Sequence, residues 1–146
     1  MIKICIIDGQ GGGIGATVIK RLRDFFEEKV DIIALGTNAI ATAQMLKARA
    51  NRGASGENAI VQTVRRVDII IGPVGIIMAN AMMGEVTPRM AEAVASSPAR
   101  KFLIPLSQEN AEIIGAASIP LPHLIDELLE IHLKPVLTRI QSNIEG

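Results

Sequence analysis

The sequence contains no tryptophan, no tyrosine and a single cysteine, Cys5. One cysteine cannot form an intramolecular disulfide, so a secreted disulfide scaffold and a cysteine-based zinc site are both excluded. With only three phenylalanines, the chain also has few platforms for stacking nucleic-acid bases. Positive and negative residues balance at 15 each, whereas nucleic-acid binding needs a basic surplus. We therefore expect no nucleic-acid partner.

Long apolar runs are also missing. The longest stretch without a charged residue covers residues 69–84, and it is interrupted by Gly72, Pro73, Gly75 and Asn80. A membrane-spanning helix needs about 20 mostly apolar residues, so this stretch predicts strand, turn and helix in a folded core. No membrane contact is expected. Because no signal-peptide pattern is visible at the N-terminus, the expected location is the cytoplasm.

The apolar content favours one folded domain. Apolar residues make up 49% of the 146 positions, which excludes intrinsic disorder and supplies a core for a single domain over residues 1–146. Short continuous apolar runs are typical of strands buried on both faces of a parallel sheet. Four such runs and a weaker fifth predict strands at Ile2–Asp8, Val30–Gly36 and residues 68–72, 101–106 and 112–115.

Segments with helical character lie between and after these runs. They cover residues 14–28, 39–50, 57–66, 75–83, 87–95 and about 121–141. Thr87 is the predicted N-cap of the fifth segment, with Pro88 at its first helical position, and Pro135 is expected to kink the last. Strands that alternate with helices predict an α/β fold. We expect a three-layer domain with a mainly parallel sheet of four to five strands in the order 3-2-1-4-5.

The most informative segment is a glycine loop, residues 9–15, between the first strand and the first helix. Glycines let a ligand approach the backbone closely, and the helix N-terminus behind them offers unpaired N–H groups and partial positive charge. A phosphate group is the expected ligand of such a loop, and a tight turn without a ligand is the alternative. The predicted cofactor-binding residues here are Gly9, Gln10, Gly11, Gly12, Gly13, Ile14 and Gly15.

The spacing of these glycines resembles that of one cofactor-binding family. Gly9, Gly13 and Gly15 fit the pattern G-x-x-x-G-x-G. Over about the first 40 residues the chain resembles the cofactor loop of short-chain dehydrogenases, which implies NAD(P) or another nucleotide as the cofactor. The catalytic tyrosine of that family has no counterpart, because the chain contains no tyrosine. A nucleotide-binding domain is therefore expected rather than a complete dehydrogenase.

Small and polar residues follow the other predicted strands. In open parallel sheets, ligands bind beyond the carboxyl ends of the strands, so these residues are expected to share the ligand with the glycine loop. Turns that any such sheet needs are the alternative explanation. The residues are Gly36, Thr37, Asn38, Gly72, Pro73, Val74 and Gly75, with Asn80 one turn into the following helix and Ser107, Gln108, Glu109 and Asn110 after the fourth strand.

A second resemblance rests on the sequences ALGTN, SGEN and DIII at residues 34–38, 55–58 and 68–71. This layout is similar to that of methylglyoxal synthase-like domains, which implies that Thr37 contacts phosphate and that Glu57 is a catalytic base. Asp8 and His123 are further catalytic candidates, since carboxyl and imidazole groups serve in general acid–base catalysis. Arg52 is a candidate anion ligand. The alternative function is therefore a small lyase acting on a phosphorylated metabolite.

Phrases spread over most of residues 1–127 carry a third resemblance: IDGQGGGIG, ALGTNAIAT, GENAI, IIIGPVGIIMAN and PLPHLIDEL. On these phrases the chain is identified as a member of a bacterial domain-of-unknown-function family of short Rossmann-like proteins, which implies a Rossmann-like or flavodoxin-like domain. The apolar, methionine-rich residues 75–83 also suit a contact between subunits. A homo-oligomeric structural or regulatory subunit is therefore a further alternative. No metal site is predicted, because the two histidines lie apart and have no cysteine nearby.

Overall fold

The computed structural model describes residues 1–106, 109–116 and 118–145 of the chain. At its centre is a five-stranded sheet in which every neighbouring pair is parallel, with the order β3-β2-β1-β4-β5. The strands are β1 (Ile2–Asp8), β2 (Val30–Gly36), β3 (Arg52–Ser55), β4 (Ile69–Pro73) and β5 (Arg100–Ile104). The predicted α/β class, parallel sheet and strand order are confirmed.

β3 lies in a stretch for which the sequence predicts a loop. All of its residues are exposed, because β3 is an edge strand, so no apolar run marks it. Parallel pairing with β2 holds it in place, from Ile33 opposite Arg52 to Gly36 opposite Ser55. The runs predicted as the third and fourth strands are therefore the fourth and fifth.

The prediction of a short strand at residues 112–115 is wrong. Gly115 has a φ of 93° and stands in a turn, and the side chain of Ile114 is 92% exposed. The described residues form no strand beyond the five. The apolar pair Ile113 and Ile114 therefore lies on the surface, in the connection between β5 and the C-terminal helices.

Helices cover both faces of the sheet. They are α1 (Gly13–Phe26), α2 (Ala39–Lys47), α3 (Glu57–Thr63), α4 (Pro88–Ser96), α5 (Leu121–Glu127) and α6 (Lys134–Glu145). A π-helical segment, Leu128–Leu133, joins α5 to α6, so the predicted long C-terminal helix is present with a widened middle. The hydrogen-bond ladder changes there beside Pro135, which has no N–H to donate. In the part of the chain that the structure describes, no helix is both long and apolar enough to cross a membrane.

The helix predicted at residues 75–83 is also wrong. A short 3₁₀ turn, Val74–Ile77, is followed by a series of turns. Asn80, Met82 and Met83 have φ angles of 68°, 57° and 57°, which no α-helix accommodates. The backbone N–H of Asn80 instead donates to the carbonyl of Val86 at 2.7 Å, and this bond closes the segment as a loop. Alanine and methionine favour a helix locally, but this tertiary contact overrides that preference.

The beginning of α4 agrees with the sequence prediction. The hydroxyl of Thr87 accepts a hydrogen bond from the backbone N–H of Met90 at 3.1 Å, and Pro88 occupies the first turn. Such a cap satisfies one of the N–H groups that have no partner inside the helix. It fixes where the helix starts after the turns of residues 78–86.

Residues of β1 point alternately into two hydrophobic clusters, which give the domain its three layers. Ile4 and Ile6 pack with α1, α2 and the C-terminal helices, whereas Cys5 and Ile7 pack with α3 and α4. All four side chains are at most 1% exposed, and burying each one stabilises the fold by about 1.5–3 kcal/mol. Burial also raises the pKa of the Cys5 thiol, so Cys5 is an unreactive core residue.

The strand order creates a crevice at the carboxyl edge of the sheet. From β1 the chain passes through α1 to β2 and then to β3, and it returns through α3 to β4 on the other side of β1. The connections that leave β1 and β4 turn to opposite faces of the sheet, α1 to one and residues 74–86 to the other. At such a switch point the two connections separate and leave room for a ligand.

Candidate functional site

A cavity of about 350 Å³ occupies this switch point. It is lined by Asp8, Gln10, Ile14, Pro73, Gly75, Met82 and Leu106. The structure therefore brings together residues that the sequence predicts after the first strand and after the strand 68–72. Met82 and Leu106 are additions from the tertiary structure. The volume lies within the usual range of small-molecule sites, about 300–1,000 Å³.

Three of the glycines in the loop are explained by the fold. Gly12 is the N-cap of α1 with a φ of 73°, a conformation that favours glycine. A Cβ atom on Gly9 would lie 2.5 Å from the Thr37 hydroxyl oxygen, and one on Gly15 would lie 2.6 Å from the sulfur of Met45. These three positions need glycine whether or not a ligand binds.

Gly11 and Gly13 are different. A Cβ atom on either would have no neighbour within 4 Å, and neither residue has a left-handed φ. Their N–H groups have no hydrogen-bond partner among the described residues. The fold therefore gives no reason for glycine at these two positions, and a Cβ atom on either would face open space.

Asp8 is a buried carboxylate at the base of the glycine loop. Its Oδ1 accepts from the N–H of Gly9 at 2.8 Å and its Oδ2 accepts from the N–H of Gly15 at 2.7 Å. Burial raises the pKa of Asp8, the backbone N–H bonds from Gly15, Gly9 and Ile14 oppose the rise, and the charge of Glu85 adds to it. Asp8 thus holds the loop in shape, and a carboxyl with a raised pKa in a cleft is also suited to proton transfer.

Glu85 is the site residue that the sequence analysis missed. One of its oxygens, Oε1, accepts three hydrogen bonds: from the backbone N–H of Gln10 at 2.8 Å, from the Thr37 hydroxyl at 2.7 Å and from the Asn38 side-chain amide at 2.7 Å. We call these three donors the cradle. Burial by itself would raise the pKa of Glu85, but the hydrogen bonds outweigh burial and lower it.

The cradle donors are held by contacts of their own. The backbone N–H of Thr37 donates to the carbonyl of Asp8 at 3.0 Å. The Asn38 side-chain oxygen accepts from the N–H of Ala41 at 2.8 Å and so caps α2, while its amide nitrogen also donates to the carbonyl of Gln10 at 3.0 Å. These bonds fix the orientation of the amide. The cradle is therefore preorganised by the strand-end loops rather than by Glu85.

Glu85 belongs to residues 78–86, which we call the covering segment because they pack over the glycine loop. Four non-glycine residues with left-handed φ angles stand at this edge: Gln10, Asn80, Met82 and Met83. Such residues cost about 1–3 kcal/mol each and cluster at functional sites. A further bond ties the segment down, since the N–H of Met82 donates to Glu109 Oε1 at 2.7 Å.

The remaining predicted site residues lie elsewhere. Glu57 accepts a hydrogen bond from the Thr87 hydroxyl at 2.6 Å, which places it beside the cap of α4. Arg52 donates to Asp31 at 2.9 Å on the exposed edge of the sheet, and His123 is exposed in α5. None of these three lines the cavity.

The glycines at the ends of β2 and β4, and Val74 directly after β4, pack closely. A Cβ atom on Gly36 would lie 2.3 Å from the Thr42 hydroxyl oxygen and one on Gly72 would lie 2.4 Å from the carbonyl of Ile7, and Val74 is buried. Ser107 and Gln108 lie outside the described residues. Within residues 1–106, 109–116 and 118–145, no cluster of three or more His, Cys, Asp or Glu side chains could hold a metal ion.

Comparison with known proteins identifies the family. No curated protein matches the chain. One similar solved structure is a dodecameric FMN-dependent UbiX-like decarboxylase from Escherichia coli O157:H7, with a TM-score of 0.46 and 17% identity over 88% of this chain and 75% of that one. The family model described as "Domain of unknown function (DUF3842)" matches residues 3–137, in agreement with the expectation from the shared phrases. The chain therefore belongs to the DUF3842 family of domains of unknown function.

Proposed function

We propose that the protein binds a small phosphorylated ligand, such as a nucleotide or dinucleotide, in the cavity between the carboxyl ends of β1 and β4. One observation carries this proposal. The cavity is lined by Gln10 and Ile14, and next to these two in the loop stand Gly11 and Gly13, whose N–H groups are unpaired among the described residues and where the fold itself does not require glycine. Glycine at such positions lets a phosphate reach the backbone, because no side chain stands in front of the N–H groups.

The electrostatics of α1 support phosphate as the bound group. The helix has 14 residues, and its N-cap, Gly12, provides no side-chain cap. The Asp8 carboxylate accepts hydrogen bonds from the N–H groups of Ile14 and Gly15, so the N–H of Gly13 is the one at this helix end that remains for a phosphate. Ile14, Pro73, Met82 and Leu106 form apolar walls around the cavity, which suit a ring or another apolar part of the ligand.

A dye-based thermal-shift screen tests the proposal, with NAD(H), NADP(H), ATP and inorganic phosphate as ligands. A specific ligand at 100 times its dissociation constant adds about 2.7 kcal/mol of stability. The Gly13→Val variant is expected to lose that shift while keeping its own melting transition. Ala95→Val, on the exposed side of α4, is the matched control and should keep the shift. Shifts that Gly13→Val does not reduce would contradict the proposal.

Exposed apolar side chains favour a second role, in which copies of the chain associate. Met83 is 96% exposed and Ile114 is 92% exposed, so both side chains are available for an apolar contact between copies. Homo-oligomer formation is compatible with ligand binding and is tested separately below. The lyase alternative has no comparable support, since Glu57 is engaged with Thr87 away from the cavity.

A further inference from the structure

We infer that the cradle of Gln10, Thr37 and Asn38 is a binding subsite for an oxyanion of the ligand, and that Glu85 is a built-in competitor which must leave before that oxyanion binds. This inference rests on the proposed function. It adds the place where an anionic group of the ligand binds, and it makes Glu85 a gate for that place. The ligand class is a compound with a phosphate monoester or terminal phosphate group.

The first argument is the geometry of the three donors. A backbone N–H, a hydroxyl and an amide converge on one carboxylate oxygen within 2.7–2.8 Å. Donor–acceptor distances of this length are typical of hydrogen bonds to a charged acceptor. The donors come from the loops after β1 and β2, where parallel sheets bind their ligands. Glu85 therefore occupies the place of a ligand oxyanion.

The second argument concerns which partner can move. Thr37 and Asn38 are anchored through bonds to Asp8 and Ala41. Glu85 instead reaches the cradle from the covering segment, in which Asn80, Met82 and Met83 adopt left-handed conformations. Ala81 and Val86 hold the backbone of this segment in the core, but the side chain of Glu85 is partly exposed. The side chain can therefore rotate away while the donors stay in place, and the carboxylate is the component that leaves.

The third argument is charge. The three donors to Glu85 are neutral groups, and among the described residues Glu85 makes no ion pair with a lysine, arginine or histidine. Asp8 lies close enough that the charge of Glu85 acts on it. A ligand phosphate cannot share the three donors with Glu85, because all of them point to the same oxygen. The ligand phosphate and Glu85 therefore cannot occupy the cradle at the same time. Occupation of the cradle by Glu85 lowers the apparent affinity of the protein for the ligand.

Titration of ¹⁵N-labelled protein with inorganic phosphate at neutral pH and constant ionic strength tests this inference. We expect saturable shifts of the Gln10 backbone amide and the Asn38 side-chain amide. In Glu85→Ala the dissociation constant should fall by about tenfold or more relative to the wild type, because the competitor is gone. Glu92→Ala removes an exposed acid from α4 and should leave the dissociation constant unchanged.

Two further variants keep the result interpretable. Glu85→Gln retains the shape of the side chain with a weaker, neutral acceptor, so its dissociation constant should lie between those of the wild type and Glu85→Ala; it replaces Glu85→Ala if that variant does not fold. Adding Thr37→Val to Glu85→Ala should weaken phosphate binding at the cradle. Equal dissociation constants for wild type and Glu85→Ala, or no saturable shift at Gln10 and Asn38 in Glu85→Ala, would overturn the inference.

The same spectra separate this inference from the proposed function. If ATP shifts the amides of Gly11 and Gly13 but never those of the cradle, the proposed function stands and the cradle inference fails. If neither phosphate nor ATP shifts any of these amides in Glu85→Ala, both fail.

Discussion

Two carboxylates at the carboxyl edge of the sheet have pKa values displaced in opposite directions. Burial raises the pKa of Asp8, although its oxygens accept hydrogen bonds from backbone N–H groups, which act to lower it. Glu85 is also affected by burial, but the bonds from Gln10, Thr37 and Asn38 are strong enough to lower its pKa. The difference follows from solvent access, because Asp8 is only 4% exposed and Glu85 is partly exposed. Glu85 is therefore held in its charged form.

The pH dependence of stability should reveal the contribution of Glu85. Because its pKa is lowered in the folded state, Glu85 stabilises the protein above its ordinary value of 4.5, and this contribution is lost as the pH falls through the folded-state pKa. The wild type should exceed Glu85→Gln in unfolding free energy by about 1–2 kcal/mol near neutrality. Urea unfolding at a series of pH values from neutral downward measures this difference. A difference that stays constant or grows toward low pH would refute the prediction.

Asp8 contributes in the opposite sense. With a raised folded-state pKa, its contribution to stability is fully present below its ordinary value of 3.8 and is lost as the pH rises through the raised pKa. Both proteins in the comparison retain Asp8. Its contribution therefore largely cancels when Glu85→Gln is subtracted from the wild type.

Two glycines of the same loop should respond differently to substitution by alanine. Gly15→Ala brings a Cβ atom to 2.6 Å from the sulfur of Met45 and 3.0 Å from the Cβ of Asp8, so we expect a loss of about 1–3 kcal/mol. Gly13→Ala meets no atom within 4 Å and should gain about 0.4–1 kcal/mol, because alanine restricts the unfolded chain. Denaturant unfolding of the two variants measures both effects. Equal destabilisation would mean that the loop is packed differently from the arrangement described.

At the scale of elements, Arg23 joins the end of α1 to the β2–β3 side of the sheet. Its side chain is almost fully buried. It donates to the carbonyl of Arg49 at 2.8 Å and to that of Glu27 at 2.9 Å, and it also contacts the side-chain oxygen of Asn51. Asn51 in turn accepts from the N–H of Ile32 at 2.7 Å. The Arg23 guanidinium thus donates to carbonyls just beyond the C-terminal ends of α1 and α2, beside the edge strand β3.

Replacing Arg23 should therefore destabilise the fold strongly. We expect Arg23→Met to cost about 2–4 kcal/mol, because buried carbonyls lose their donors. Arg21→Met is the matched control on the same helix. Arg21 pairs with Asp126 at the surface, where both side chains are well exposed, so its loss should cost less than about 1 kcal/mol. Chemical denaturation of both variants measures the difference, and similar losses would contradict the assigned role of Arg23.

In the molecule as a whole, the place where a ligand can bind is set by the order of the strands. The chain adds β2 and β3 on one side of β1 and then β4 and β5 on the other. β1 lies in the middle of the sheet, with β2 on one side and β4 on the other. The chain leaves β1 toward one face and leaves β4 toward the other. The cavity, the cradle and the covering segment all lie beside this point. A site assembled in this way needs the loops of three strands, and no local stretch of sequence contains it.

Association of copies is a whole-molecule property that a mass measurement can test. If the exposed Ile114 lies in a contact between copies, light scattering after size exclusion should give a mass above 15.6 kDa for the wild type and a smaller mass for Ile114→Asp. Ile40→Asp is the control, since Ile40 is also exposed (67%) but lies on α2. A monomeric wild type, or an equal effect of both substitutions, would contradict the proposed contact.

Elements that are stabilised locally, or that are buried on both faces, could be predicted from the sequence. The apolar runs of β1, β2 and β4 identify central strands, and Thr87 and Pro88 set the start of α4. The glycine loop was also identified, together with its place before α1. In each case the residues that specify the structure lie next to one another in the chain.

The remaining features follow from tertiary contacts, because each depends on a partner far away in the sequence. β3 has an exposed, polar sequence and becomes a strand only by pairing with β2. Arg23 lies on the charged side of α1 yet is buried by contacts 26 and 28 residues away. Glu85 follows the longest uncharged stretch, a signal that marks it as unusual but not as part of the site. Its donors are Gln10, Thr37 and Asn38, which lie 75, 48 and 47 residues away, and only the folded sheet brings them together.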